Sequence, residues 1–243
     1  MSDSKTDPND LKMVRFLLRG PDARAFLQGQ LTMNVERLSA TPQLTAICNL
    51  KGRIRFGLWA MHSEHGAELW VHHSLADAFE GHIQKFSAFS KTSLERLGAS
   101  FLRINNAEAS LSDQPEPNAK TMLIAHWQSV ITSDTTESFQ PQELRLHELG
   151  GIDYAKGCYL GQEIVARLWF KGAPKQWLHA VRFEKPVDTK HVEAEHIQLV
   201  LLDAARQSAL VVARPEALTT WLHACSGELL PKLTHMKDTP IRG

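Results

Sequence analysis

Apolar and polar positions alternate in short runs through the first half of the chain. Met13 to Leu18 reads as a strand, and Gly20-Pro21-Asp22 as a turn and helix start, with Asp22 placed to cap free N–H groups. Ala23, Phe26, Leu27 and Leu31 recur at helical spacing, predicting a helix from Ala23 to Leu31. Leu44–Leu50 and Ile54–Ala60 read as two strands joined at Lys51-Gly52, a hairpin, and Glu68–His72 as a further strand. Leu75, Phe79, Ile83 and Phe86 lie on one side of a helix predicted from Leu75 to Phe89.

The pattern then weakens. Ser110 to Lys120 is polar and holds Pro115 and Pro117, which suits a loop or a domain boundary. Met122 to Trp127 is short and apolar and reads as a strand before another polar stretch, Ser129 to Glu137. A helix is predicted from Gly161 to about Phe170, ended by Lys171-Gly172 and Pro174, with Glu163 and Arg167 four apart in the favourable order. Beyond it, His179–Phe183, Ile197–Leu202 and Ala209–Ala213 are strand candidates. The expected organisation is a disordered tail over 1–10, a lobe over 11–175 with a short subdomain at 92–138, and a small β-rich unit over 176–243.

Composition changes this picture little. The chain has 243 residues, 43% of them hydrophobic, and 27 basic residues balance 27 acidic ones. A net charge of zero argues against a strongly basic nucleic-acid coat but leaves room for a local basic patch. No apolar run is long enough for a membrane helix and no leader-like segment opens the chain, so a cytoplasmic location is expected. Cys48, Cys158 and Cys225 are far apart and form no CxxC pair, and the 12 histidines are scattered, so no resident metal site is expected.

One segment departs from the ordinary: Lys156-Gly157-Cys158-Tyr159-Leu160-Gly161-Gln162-Glu163-Ile164-Val165-Ala166-Arg167. Cys158 stands just before a predicted helix start, where free N–H groups favour a thiolate. Between Gly151 and Lys185 there are six basic and three acidic residues, which act in the same direction. Gly157 and Gly161 allow a sharp turn or a close approach on either side. From the residues alone, Cys158 is either a small buried hydrophobe or an activated thiol: a nucleophile, a redox site, or one ligand to a shared cluster.

This segment closely resembles the signature of the YgfZ family, folate-binding proteins related to the glycine-cleavage T-protein and linked to Fe–S enzymes and tRNA modification. Lys156, Gly157, Cys158, Tyr159, Gly161, Gln162, Glu163 and Arg167 meet its fixed positions. Further pieces follow in the family's order: Gly20, Asp22, Ala23, Phe26 to Gln30 and Thr32; Cys48 and Lys51-Gly52-Arg53; Phe86 to Lys91; and Phe139 to Gln142 with Leu144 and Leu149 to Ile152. The resemblance spans about Val14 to Leu178. It implies an α+β, T-protein-like (aminomethyltransferase-like) fold, with a shortened middle subdomain and a small barrel-like C-terminal unit.

The resemblance also implies roles. Cys158, with Lys156 and Arg167 beside it, is the expected working group, ligating an exposed cluster iron or attacking a persulfide. Tetrahydrofolate is the implied cofactor, with Gln28, Gln30, Gly161, Gln162, Glu163 and Trp127 as its candidate contacts. The implied partners are Fe–S enzymes such as radical tRNA-methylthiolating enzymes, without strong direct binding of nucleic acid. Three departures stand out. The stretch from Lys91 to Phe139 is short, Val14 sits where the family has a tryptophan, and a second ring-contacting tryptophan has Trp127 as its candidate by type only. Two other functions fit the same reading. One is a folate-dependent one-carbon transferase, with Glu143 or Glu148 as the needed carboxylate. The other is a binding module that has lost folate.

Overall fold

The computed structural model describes residues 11–64, 66–188 and 192–236. The predicted tail, 1–10, lies outside them. Two antiparallel sheets organise the chain. The first holds β1 (Lys12–Arg19), β2 (Gln43–Cys48), β3 (Ile54–Ser63), β4 (Gly66–His72), β5 (Ser93–Asn105) and β6 (Glu108–Ser112), in the order β2-β3-β4-β1-β5-β6. The second holds β7 (Trp177–Phe183), β8 (Ile197–Leu202), β9 (Ser208–Ala213) and β10 (Gly227–Leu229), in the order β10-β7-β9-β8. Among the described residues these helices accompany them: α1 (Ala23–Gln28), α2 (Ala76–Phe86), α3 (Ala119–Ala125), α4 (Gln162–Lys171) and α5 (Pro215–Ala224).

Strand β1 is central, paired with β4 on one side and β5 on the other. Covered on both faces, it buries Met13, Val14, Phe16, Leu17 and Leu18, which is why its apolar run is nearly unbroken. Helix α2 lays Phe79 and Ile83 on this sheet, and the Phe79 ring meets Phe16 at 5.1 Å and Phe56 at 5.3 Å.

Two expectations change, and two elements were not foreseen. Met122–Trp127 is no strand; α3 occupies Ala119–Ala125 and buries Ala119, Leu123 and Ile124. A short apolar run suits either element, and only packing decides it. Strand β5 was hidden because the register shifts opposite Arg15 and Phe16, where Leu97 is the extra residue. A bulge moves side chains to the other face and breaks the period of two. Ser110–Ser112, expected in a loop, completes β6. The C-terminal part also contains α5, which has Pro215 at its first turn and buries Leu218 and Trp221.

The two sheets share a core. Leu178, Ala180, Leu210 and Val212 join the apolar cluster of β1–β4 and α3, while Val181, Phe183, Val211 and Ala213 face α5 on the other side. Trp127 sits at this junction, 1% exposed, with its indole N–H 3.4 Å from the Pro231 carbonyl.

Candidate functional site

Residues 150–161 form a strap laid along the segment that follows α1. The Thr32 hydroxyl donates to the Gly151 carbonyl at 2.6 Å, and the Thr45 hydroxyl reaches the same oxygen at 3.1 Å. The backbone N–H of Asp153 donates to the Thr32 carbonyl (3.0 Å), and that of Leu160 to the Gly29 carbonyl (3.1 Å). Between these anchors the Lys156 ammonium is buried and donates to three backbone carbonyls: Gln28 (2.7 Å), Leu31 (2.5 Å) and Met33 (3.0 Å). Burial draws its pKa down to about 8, with Asp153 pulling the other way. Its Nζ also lies 4.9 Å from the centre of the buried Tyr159 ring.

The far end of the strap passes over the β2–β3 turn. Gly161 has φ +81°, and a Cβ there would stand 2.2 Å from the Asn49 carbonyl oxygen. Gly52, at φ +69°, meets α4 from the other side, where a Cβ would lie 2.8 Å from that of Ile164. These two glycines let the turn and the first turn of α4 touch backbone to side chain. The Asn49 carboxamide oxygen closes the turn by accepting the N–H groups of Lys51 and Arg53. Gln142 holds α4 from beneath by donating to the Val165 carbonyl at 2.7 Å.

Cys158 lies on the crest of this strap, exposed beside the exposed Gly157. The other thiols differ. Cys48 is buried beneath Gly161, and burial pushes it up to about 12. Cys225 is partly covered and also raised by burial. Cys158 is thus the one exposed thiol among the described residues, held outward by a loop whose two flanks are fastened.

The other expected site residues are dispersed. The Gln28 side chain donates to Asn34 (3.2 Å) and accepts the Val35 N–H (2.9 Å). Gln30 pairs with His82 at 2.9 Å. The Gln162 amide points back to the Lys156 carbonyl at 3.4 Å. Glu163 and Arg167 are both exposed, and no ion pair joins them among the described residues. Trp127 is closed into the core at the second sheet. Of the residues read as contacts for a folate ring, the Gln28, Gln30 and Gln162 amides bond to neighbours and the Trp127 indole is covered, while Glu163 is exposed at the start of α4.

Asp22 does not cap α1; its carboxylate accepts the Lys91 N–H at 2.8 Å. Gly20 (φ +117°) approaches the same residue so closely that a Cβ would lie 2.2 Å from the Lys91 carbonyl oxygen. The two motif pieces at 20–22 and 90–91 thereby meet. Glu143 accepts the Gln140 N–H (2.8 Å), and burial raises its pKa. Glu148 pairs with Arg145 at 3.0 Å, both side chains being 4% exposed. Both carboxylates are thus engaged within the protein. No group of three or more metal-ligating side chains occurs among the described residues.

Sequence reading missed a second cluster. Tyr154 and Trp169 stack at 4.2 Å and 13°, and His147 meets Trp169 at 5.3 Å and Trp177 at 6.1 Å. Arg145 lies over both Trp127 and Trp177. Burial lowers His147 to about 4, and its Nδ1 has no hydrogen-bond partner among the described residues. The tryptophans were visible in the sequence; nothing there brought Tyr154 to them.

No family model matches the chain. It is 29% identical over 254 aligned positions to the tRNA-modifying protein YgfZ of Edwardsiella ictaluri, covering 80% of this chain and 75% of that one. It is 29% identical over 218 positions to the protein of the same name from Pectobacterium atrosepticum, covering 67% and 66%. The fold is similar to that of the glycine cleavage system aminomethyltransferase T from Bartonella henselae, with a TM-score of 0.64 at 11% identity over 86% of this chain and 77% of that one. The resemblance to the YgfZ proteins thus extends well beyond the signature, and the α+β fold is T-protein-like.

Proposed function

We propose that this chain, a relative of the YgfZ proteins in sequence, acts in tRNA modification as an accessory factor for Fe–S enzymes, with Cys158 as its working group. The observation that carries the proposal is the exposed Cys158 on a fastened strap. A thiol meant for packing is buried, as Cys48 is; one meant for a partner must be reachable and must keep its position. A single exposed cysteine cannot hold a cluster alone. It can lose its proton and bind an iron left open on a client's cluster, which suits brief contact rather than storage.

Lys156 in this reading is a positioning residue. Its ammonium ties the strap to three carbonyls and so sets where Cys158 stands. Tetrahydrofolate is the cofactor that the resemblance implies. No step of the proposal runs through it; of its implied contacts, Gln28, Gln30 and Gln162 bond within the protein and Glu163 is exposed. A turnover enzyme of the one-carbon class is disfavoured by the engagement of Glu143 and Glu148.

The test is tRNA methylthiolation in cells lacking the protein, restored by wild type or by Cys158→Ala at equal protein level. Restoration by wild type alone is expected. Equal restoration by both would remove Cys158 from the function.

A further inference from the structure

We propose that the exposed face of α4 and the turn after it bind single-stranded RNA directly, by stacking a base on Phe170 and holding phosphates with Arg167, Lys171 and Lys175. This adds a contact surface to the accessory role above; it shares Arg167 with the residues read beside Cys158 and otherwise stands on Phe170, Lys171 and Lys175.

From Ile164 to Phe183 the sequence contains Arg167, Lys171, Lys175 and Arg182 and no acidic residue. The net charge of zero conceals this stretch. On α4 the exposed positions are Glu163, Arg167, Phe170 and Lys171, which fall along one stripe at helical spacing. Arg182 pairs with Glu228, but Arg167, Lys171 and Lys175 have no ion-pair partner among the described residues. Two like charges four apart on a helix repel, and an anion between them removes that cost.

Phe170 is 63% exposed, placed by the helical period on the same stripe as Arg167 and Lys171. Beneath, the Tyr154 ring meets Phe170 edge-on at 6.2 Å and is itself stacked on Trp169. The exposed ring is therefore backed by a packed aromatic layer rather than standing alone. At the other end of α4, Gly52 against Ile164 sets the β2–β3 turn beside the helix, adding the exposed Lys51 and Leu50, the latter 78% exposed.

A flat exposed ring flanked by unpaired cations matches single-stranded nucleic acid, whose bases stack while its phosphates pair. An acidic protein would use the cations and leave the ring idle. A lipid surface would call for a broad apolar face rather than one ring. The ten-residue helix is about 15 Å long and begins four residues after Cys158 in the sequence.

The experiment is fluorescence anisotropy of the full chain with a fluorescein-labelled, unstructured oligoribonucleotide, measured at several salt concentrations. Three phosphate contacts predict a log–log salt slope near −2, or about a fifteenfold loss of affinity for a fourfold rise in salt. The Arg167→Ala/Lys171→Ala double variant is expected to flatten that slope by about 1.4. Phe170→Ala is expected to weaken binding about tenfold with the slope unchanged, as loss of one stacked base requires. All three side chains are exposed, and matching melting temperatures confirm that the variants fold. Cys158→Ala is expected to bind as wild type does, so a failure of the thiol reading leaves this result standing. The proposal is overturned if wild type shows no saturable binding, or if Phe170→Ala binds RNA as wild type does. It is also overturned if the double variant keeps the wild-type RNA affinity and salt slope.

Discussion

Lys156 decides where the cysteine two residues later stands. A lysine in a basic, glycine-bracketed signature invites the reading of an anion ligand, yet its ammonium is buried and spends its three donors on Gln28, Leu31 and Met33. Lys156→Met keeps the stem and removes the donors. The three carbonyls then lose their partner inside the protein, at a cost of about 1–3 kcal/mol, since unsatisfied buried acceptors keep their full desolvation penalty. Urea unfolding is expected to show that loss, and amide hydrogen exchange to show faster exchange at Asp153 and Leu160, whose N–H groups fasten the strap. Unchanged exchange there would mean that Lys156 does not hold the strap.

At the scale of elements, the sequence disclosed what repeats locally. The hairpin around Lys51-Gly52, α2, α4, and strands β1, β4, β7, β8 and β9 follow from period and turn chemistry, with bounds shifted by a few residues. It failed where tertiary packing settles the matter. Met122–Ala125 became helical because Leu123 and Ile124 fill the gap beneath the second sheet, and β5 was masked by the bulge at Leu97. The site divides in the same way. Cys158 and its bracketing glycines were legible because their demands are local: exposure next to a helix start, and a positive φ at Gly161. The surroundings of Gln28, Gln30 and Trp127 were not, because these side chains meet Asn34, His82 and Pro231, which no spacing links to them.

The whole molecule stores a dependence on pH. Burial holds His82, His147 and His179 at about 4, below the ordinary 6.5 of an imidazole. The unfolded chain takes up protons below about pH 6.5, while the folded chain resists until about pH 4. Stability from these groups is therefore complete above pH 6.5 and drains away as the pH falls from 6.5 to 4. His147 touches both Trp169 and Trp177, where α4 meets β7, and so couples the strap's helix to the second sheet. For this residue the loss is on the order of 1–3 kcal/mol. Urea midpoints measured from pH 7.5 to 4.5 are expected to fall, and His147→Gln to make the fall shallower. A variant with the wild-type pH dependence would show that His147 does not carry it.

Chemical blocking of Cys158 separates a working thiol from an idle one. Iodoacetamide at one equivalent is expected to modify Cys158 first, as read by peptide mass spectrometry, because Cys48 is buried and Cys225 partly covered. The modified and untreated proteins are then compared for stimulation of a purified radical tRNA-methylthiolating enzyme. Carboxamidomethylation at Cys158 is expected to abolish the stimulation while leaving the melting temperature unchanged. Full stimulation by protein blocked at Cys158 would contradict its role as the working group.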